Sequence, residues 1–246
     1  MVVTGATSGI GRAAAARFAR AGAKVVAAGR DQRRLAEVAA EVDCALTLDV
    51  TDPDSVAIFA AAVLDRHGGV DVLVNNAGVG LFKAWDETSD VDLRRVLEVD
   101  LFGQVAVANA LLPSLIARKG VLVQVASVAG KRGYARHTAY CAAKHALVGW
   151  SEALRCDLRG TGCDVVVVCP PAVRMPFFEN AGYHTFDEDH PGLVPMTADA
   201  VAADLVRATV ARRRTVILSP RAKVLFGLSI VAPKLLDRLQ ASKNRS

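Results

Sequence analysis

Aromatic side chains are scarce in this sequence. They make up 5% of 246 residues, so a core must rest on Ala, Val and Leu within a hydrophobic share of 52%. Cysteines are few and odd in number: Cys44, Cys141, Cys156, Cys163 and Cys169 show no CxxC spacing. A disulfide framework and a zinc site are both disfavoured, and a reducing cytosol is the natural setting. No stretch of about 18 apolar residues is present, so a conventional membrane span is not expected. The longest candidate, Val224 to Pro233, is too short. A secretory leader is not visible either, because a glycine-rich turn begins by Gly5. Nucleic acid lacks a reader: there is no zinc finger, RNA-recognition signature or basic helix interleaved with aromatics.

What is present is unevenly placed. The net charge is +5, yet the segment from Arg212 to Ser246 holds nine Lys/Arg and one acid, Asp237. The rest of the chain is slightly acidic, so the basicity belongs to the tail and not to a nucleic-acid-binding face. The charged share of 22% with 52% hydrophobic residues fits a folded chain, and 246 residues fit one α/β domain.

Short β-like runs alternate with longer helical patterns. The strands are predicted at Met1 to Thr4, Ala23 to Ala28, Cys44 to Asp49, Val70 to Val74, Gly120 to Ala126, Cys163 to Cys169 and Thr215 to Leu218. The helices are predicted at Ile10 to Ala21, Gln32 to Ala40, Asp54 to Arg66, Asp90 to about Ala117, Thr138 to Leu158 and Thr197 to Ala211. This alternation implies crossover connections and a parallel sheet buried on both faces. The run Val165-Val166-Val167-Val168 suits such a strand. No internal repeat or linker breaks the chain. A single domain over residues 1–220 is expected, with a substrate loop at 170–196 and a basic, apolar extension at 221–246.

Between the first strand and the first helix stands Thr4-Gly5-Ala6-Thr7-Ser8-Gly9-Ile10-Gly11. Gly5 permits a sharp turn, Gly9 lets the backbone approach a pyrophosphate, and Gly11 allows close helix packing. Backbone N–H groups at the helix start, including those of Thr7, Ser8 and Ile10, then face an anion. A Walker P-loop is excluded, since no Gly-Lys-Ser/Thr follows. At the end of the second strand, where an acid usually holds the adenosine 2′-hydroxyl, the sequence has Gly29-Arg30. A guanidinium without a carboxylate welcomes a 2′-phosphate, so NADP is the expected cofactor, with Arg12 as a candidate helper.

At the other end of the site, Tyr140 and Lys144 share one helix face, four residues apart. Ser127 follows a strand at the carboxyl edge of the sheet, where ligands bind. A free tyrosine titrates near 10, too high for acid–base work at neutrality, and a neighbouring ammonium favours its phenolate. A serine hydroxyl then holds the substrate oxygen.

These residues, with Asp49-Val50 and Asn75-Asn76-Ala77-Gly78, stand in the order and spacing of the short-chain dehydrogenase/reductase family. The sequence resembles that family from its first residues to about residue 220. The resemblance implies a doubly wound Rossmann fold: a seven-stranded parallel sheet, helices on both faces, strand order 3-2-1-4-5-6-7. It implies hydride transfer between a nicotinamide and a carbonyl or secondary alcohol. Tyr140 is then the general acid/base, Lys144 holds the nicotinamide ribose and lowers the tyrosine pKa, and Ser127 binds the reacting oxygen. Asp49 and Val50 line the adenine pocket. Asn75, Asn76 and Ala77 lie near the adenosine side, and Gly78 lies beside the cofactor. Pro170 and the Val173 backbone lie near the nicotinamide.

Three departures from the family pattern stand out. Asp100 occupies a position where the family commonly has Asn, whose backbone carbonyl holds a water linked to the lysine. Asp keeps the carbonyl, and its added charge is expected either to leave the relay intact or to perturb Lys144. Pro170-Pro171 replaces Pro-Gly, and Met175 replaces a threonine. Little precedes Val3, so the first strand is short or residues are missing upstream.

The loop after Pro170 carries Met175, Phe177, Phe178, Tyr183 and Phe186. Leu81, Phe82 and Trp85 form a candidate opposite wall, so a lipophilic substrate is expected. His184, His190 and the neighbouring acids match no metal-ligand spacing, and His137 and His145 read as surface or packing residues. The tail has two readings, a subunit interface, which is preferred given the usually oligomeric family, and peripheral contact with an anionic membrane. The main expectation is a cytoplasmic, homo-oligomeric NADP(H)-dependent oxidoreductase for a hydrophobic ketone, aldehyde or secondary alcohol. The alternative is a nucleotide-binding regulatory or scaffold protein with weak or no catalysis.

Overall fold

The computed structural model describes residues 1–174, 195–235 and 237. Its centre is a sheet of short Val-rich strands. These are β1 (Val2–Thr4), β2 (Val26–Gly29), β3 (Cys44–Thr47), β4 (Val72–Asn75), β5 (Val121–Val125) and β6 (Asp164–Cys169). The edge strand Thr215–Ile217 completes seven, in the order 3-2-1-4-5-6-edge, and all neighbouring pairs are parallel. The expected Rossmann topology is therefore observed.

Register places alternate side chains on two separate cores. Val2, Val26, Leu73, Leu122 and Val165 face one layer. Val3, Ala27, Val74, Val123 and Val166 face the other. Period-two alternation that is apolar on both faces is what crossover helices impose on a parallel sheet. On one face lie α1 (Gly9–Arg20) and α2 (Gln32–Ala39). The first core continues under α3 (Pro53–His67) through Phe59 and Val63. Asp52 caps α3 by accepting from Asp54 N, Pro53 opens it, and Gly68 closes it in a left-handed conformation.

The long helix expected from Asp90 to Ala117 is present but not uniform. It consists of α4 (Asp90–Leu97), a π-helical segment Glu98–Gly103 and α5 (Gln104–Ala117). This corrects one sequence expectation: within Asp90–Ala117 a stretch of 18 residues reaches a mean hydropathy of 1.5, so among the described residues one helix is, by length and composition, long and apolar enough to cross a membrane. No uninterrupted apolar run of that length occurs here, but Val, Leu, Ile and Ala outnumber the interspersed Asp, Gln and Asn and keep the average high. In the structure this helix is a layer of the domain. Val107, Ala108, Leu111 and Leu115 are fully buried against the sheet.

Helix α6 (Thr138–Asp157) follows the fifth strand. The loop expected at 170–196 begins and ends in a parallel pair, β7 (Val173–Arg174) with β8 (Met196–Thr197). Helix α7 (Ala198–Val210) then packs on α1, and Arg17 donates to Asp199 across them. The edge strand is β9 (Thr215–Ile217). The chain does not stop there: α8 (Pro220–Val231) is a helix capped by Ser219, which accepts from Ala222 N. The sequence reading marked only an apolar run here.

The turn after β1 is compact for a steric reason. Gly5 has φ +62°, and a Cβ on Gly11 would sit 2.3 Å from the Gly5 carbonyl oxygen and 2.5 Å from Asn76 Nδ2. Gly11→Ala is expected to lower the thermal midpoint by about 3–10 °C, the equivalent of ~1–3 kcal/mol of overpacking. Melting followed by circular dichroism tests this. An unchanged midpoint would mean that the turn shifts freely.

Candidate active site

The carboxyl ends of β1, β4 and β5 open into one cleft of about 850 Å³. At its nucleotide end, Gly5, Thr7, Ser8, Gly9 and Ile10 line the wall. The Ser8 side chain makes no capping bond, and the first turn of α1 holds no acid. The helix therefore presents unneutralised N–H groups and its positive dipole end, the arrangement that receives a pyrophosphate. Gly11 lies beneath this surface as a packing residue and does not line the cleft.

The turn is held by the segment after β4. Thr4 Oγ1 accepts from Asn76 N (2.9 Å) and Ala77 N (3.0 Å). Asn76 Nδ2 donates back to Thr4 O (3.0 Å) and Gly5 O (3.3 Å). Asn75 is fully buried and donates to Gln104 O, while Gln104 Nε2 donates to Ala77 O. Asn76, Ala77 and Gly78 line the cleft; Asn75 does not.

At the adenosine end stand Arg30, Arg34, Asp31, Asp49 and Val50. Arg30 lies 4.0 Å from Asp49 and is mostly exposed. Burial raises the Asp49 carboxyl, but bonds from Thr51 N and Oγ1, and the Arg30 charge, outweigh it and hold the group below the usual range. Arg12 is not available as a helper. It donates to Glu37 (3.3 Å) and Glu41 (2.8 Å) and does not line the cleft. It directly follows Gly11, and its side chain faces α2 and the turn after it.

At the other end Ser127, Tyr140 and Lys144 converge. Ser127 and Tyr140 share a side-chain hydrogen bond, and Lys144 Nζ sits 5.6 Å from the Tyr140 ring centre. Lys144 Nζ also lies 2.9 Å from Asp100 Oδ2, with both side chains at most 4% exposed. The other Asp100 oxygen accepts from Val79 N at 2.6 Å. The π-helical turn carries Asp100 inward; such bulges are frequent at functional sites. Asp100 thus meets the lysine through its carboxylate, whereas the family pattern implied its backbone carbonyl.

The electrostatics follow from burial. Desolvation pushes the Asp100 carboxyl up, against the Lys144 charge and the Val79 N–H. Desolvation also opposes the Lys144 cation, but the carboxylate overrides it and raises the lysine pKa. One carboxylate oxygen takes the Val79 N–H and the other faces the ammonium, contacts that favour the charged forms against burial. Burial raises Tyr140 as well; Lys144 pulls it down, Asp100 pushes it up, and the net direction is upward. The expected lowering by Lys144 is present but outweighed.

Phe82 is buried and packs edge-on against Tyr140, 5.6 Å between ring centres, and 4.5 Å from the His137 ring. Phe82, Leu81, Tyr134 and His137 line the cleft, as do Pro170, Pro171 and Val173. Trp85 does not; it is 78% exposed on a short helical turn. Met175, Phe177 and Phe178 lie outside the described residues. Sequence reasoning missed Arg34, Arg95, Arg221 and Leu225 on the cleft wall. Arg34, three residues after Asp31, had a local signal; the others are brought in by long-range packing.

Together these features define a dinucleotide-binding α/β protein with a Ser–Tyr–Lys cluster in its cleft. The chain belongs to the short-chain dehydrogenase/reductase family: the model of short chain dehydrogenases matches residues 1–184. It is 35% identical over 266 residues to dehydrogenase/reductase SDR family member 7B of Rattus norvegicus, covering 100% of this chain and 81% of the relative. It is 38% identical over 188 residues to a 3beta-hydroxysteroid dehydrogenase of Mediterraneibacter gnavus, covering 74% of this chain and 68% of the relative. A short-chain dehydrogenase/reductase of Burkholderia phymatum in complex with NAD superposes with TM-score 0.85 at 27% identity, over 96% of this chain and 94% of that one. An alcohol dehydrogenase of Thermococcus sibiricus, complexed with 5-hydroxy-NADP, gives 0.79 at 28% identity, over 88% and 94%. The fold thus binds a nicotinamide cofactor, of either phosphorylation state among these neighbours.

The ion pair has a stability signature. Lys144→Met leaves the Asp100 charge buried and unpaired, at a cost of about 3–5 kcal/mol. Adding Asp100→Asn is expected to restore most of that loss. Urea unfolding of the two single variants and the double variant measures the coupling, and strictly additive losses would refute it.

Proposed function

We propose that this protein is an NADP(H)-dependent oxidoreductase of a hydrophobic ketone, aldehyde or secondary alcohol. The observation that carries the reading is the convergence of Ser127, Tyr140 and Lys144 in the cleft that the glycine turn opens. The nicotinamide, when bound, supplies or accepts the hydride. The chain's own groups handle the proton and the oxygen. The Ser127 hydroxyl holds the reacting oxygen, and Tyr140 Oη gives it a proton in reduction or takes one in oxidation. Lys144 supports the phenolate by charge and is the candidate ribose-binding group. Asp100 positions Lys144 and keeps it cationic. Because burial raises the Tyr140 pKa, the phenol is protonated at neutral pH, which suits the acid role in reduction.

The fit to the cofactor rests on the uncapped start of α1, the close-packed glycine turn and the two arginines at the adenosine end. Gly5, Thr7, Ser8, Gly9 and Ile10 receive the diphosphate. Asp49, Val50, Asn76, Ala77 and Gly78 flank the adenosine and ribose, and Pro170 and Val173 the nicotinamide. Arg30 supports the 2′-phosphate. Phe82 and the neighbouring apolar wall support a lipophilic substrate, as does the similarity to a steroid dehydrogenase. A homo-oligomer in a cytoplasmic setting belongs to the same proposal, supported by the family resemblance.

Fluorescence titration is expected to show NADPH binding tighter than NADH. Arg30→Ala should weaken NADPH by about 10–100-fold, the worth of a charge-assisted bond, with little effect on NADH. Tighter NADH binding would overturn the Arg30 assignment and leave the enzyme standing. Tyr140→Phe should lower turnover of lipophilic carbonyls by ~10²–10⁴ with cofactor binding retained. NADPH binding without turnover on any carbonyl would favour the regulatory reading.

A pH profile tests Asp100. Oxidation needs the phenolate, so its rate rises as pH passes through the Tyr140 pKa. Asp100 raises that pKa, so Asp100→Asn should move the rising limb to lower pH. An unmoved limb would reduce Asp100 to packing.

A further inference from the structure

Helix α8 is covered on one side only. Ala222, Phe226 and Ser229 are half-buried, and Ala222 and Phe226 bound a crevice with Val128, Tyr134 and Ile217. Their three- and four-residue spacing defines the inner face. The opposite face carries Val224, Leu228 and Val231, again at helical spacing, at 61%, 36% and 79% exposure. Gly227 lies among them, and Ile230 and Leu235 are exposed beside them. Single exposed apolar residues are ordinary, but a whole outer face of them marks an interaction surface.

The flanks of this face are cationic. Arg221, Lys223 and Lys234 are exposed, and the sequence continues with Arg238, Lys243 and Arg245. From Pro220 onward the sole acid is Asp237, whose carboxylate lies 3.5 Å from Arg132. A second copy seated on the same face would bring two such cation sets together, an unfavourable pairing. A bilayer with anionic headgroups satisfies both features: hydrocarbon for Val224, Leu228 and Val231, and headgroup charge for the lysines and arginines.

We infer that the outer face of α8 docks on an anionic membrane surface. The first turns of the same helix reach the cleft, where Ser219, Arg221, Ala222 and Leu225 line its wall. A docked protein therefore opens its cleft next to the lipid. Resting on the proposed function, this also places a bilayer-dissolved lipophilic carbonyl beside its entrance. The subunit-interface reading of the tail gives way here, on the ground of charge.

Flotation of the full chain tests the docking without reference to catalysis. It is expected to float with vesicles of phosphatidylcholine containing phosphatidylserine, less with phosphatidylcholine alone, and less at high salt as screening shortens. Leu228→Glu/Val231→Glu should lower the bound-to-free ratio at least ~10-fold. Lys223→Glu/Lys234→Glu, which leaves the apolar face intact, should do likewise. None of these residues lines the cleft, so turnover of a water-soluble carbonyl in vesicle-free buffer should be unchanged. Wild type that fails to float with the anionic vesicles overturns the docking. So does a Leu228→Glu/Val231→Glu chain that floats as well as wild type, or one whose mass halves in light scattering while its flotation persists. A chain that floats but turns over no carbonyl keeps the docking and loses the delivery of substrate.

Discussion

The segment from Asn75 to Val79 is the constraint from which the site is built. It leaves the end of β4 and is bonded on every side. Thr4 accepts two of its N–H groups, Gln104 of α5 accepts from Asn75 and donates to Ala77, and Asp100 accepts from Val79. One short strand-end therefore fixes the glycine turn on one side and Asp100, the partner of Lys144, on the other. Buried backbone groups must be paired, and here the pairing is done by side chains from β1, the π-helical turn and α5. Such cross-linking keeps the distance between the glycine turn and the Ser127–Tyr140–Lys144 cluster independent of the loops around them. On the proposed function, a hydride and a proton reach one substrate only if that distance is kept.

The second consequence concerns charge. A lysine at 3% exposure is costly unless it is paired, and Asp100 supplies the pair inside the protein. Lys144 is thereby positioned before any ligand arrives, and its charge stays beside Tyr140. The carboxylate also works against the lysine, since it opposes the phenolate that the ammonium favours. Asp100 therefore biases the site towards a protonated tyrosine. An asparagine of nearly the same shape would keep the Val79 contact and remove the bias.

The layers of the fold were legible because doubly buried strands such as Val165 to Val168 and caps such as Asp52-Pro53 are local signals. The cleft walls were legible at Gly5, Tyr140 and Lys144, where spacing on one turn or one helix face carries the geometry. Other features lay beyond local reading. The extra residue of a π-helical turn rotates Asp100 inward without changing the apolar periodicity around it. Arg12 was misread because the acids that hold it, Glu37 and Glu41, come from α2 and the turn after it. Leu225 and Arg221 reach the cleft only because α8 folds back over the segment after β5, and the apolar run alone carried no sign of that return.

On the proposed function, a weak contact at the adenosine end decides cofactor selectivity. Arg30 and Asp49 are 4.0 Å apart and largely solvated, with the arginine side chain 61% exposed. A pair of that kind contributes about 0–1 kcal/mol, so little opposes its exchange for another partner. A 2′-phosphate offers more charge and several acceptor oxygens, to which a guanidinium can bind bidentately. A 2′-hydroxyl offers neither, and leaves Arg30 with Asp49. Asp31 is not a free competitor, since its carboxylate accepts from Arg34 N as the cap of α2 and lies 3.4 Å from Arg34 Nε. On the proposed reading, the cofactor preference then rests on the exchange of one solvated ion pair for a stronger one, with the glycine turn holding the diphosphate equally in either case.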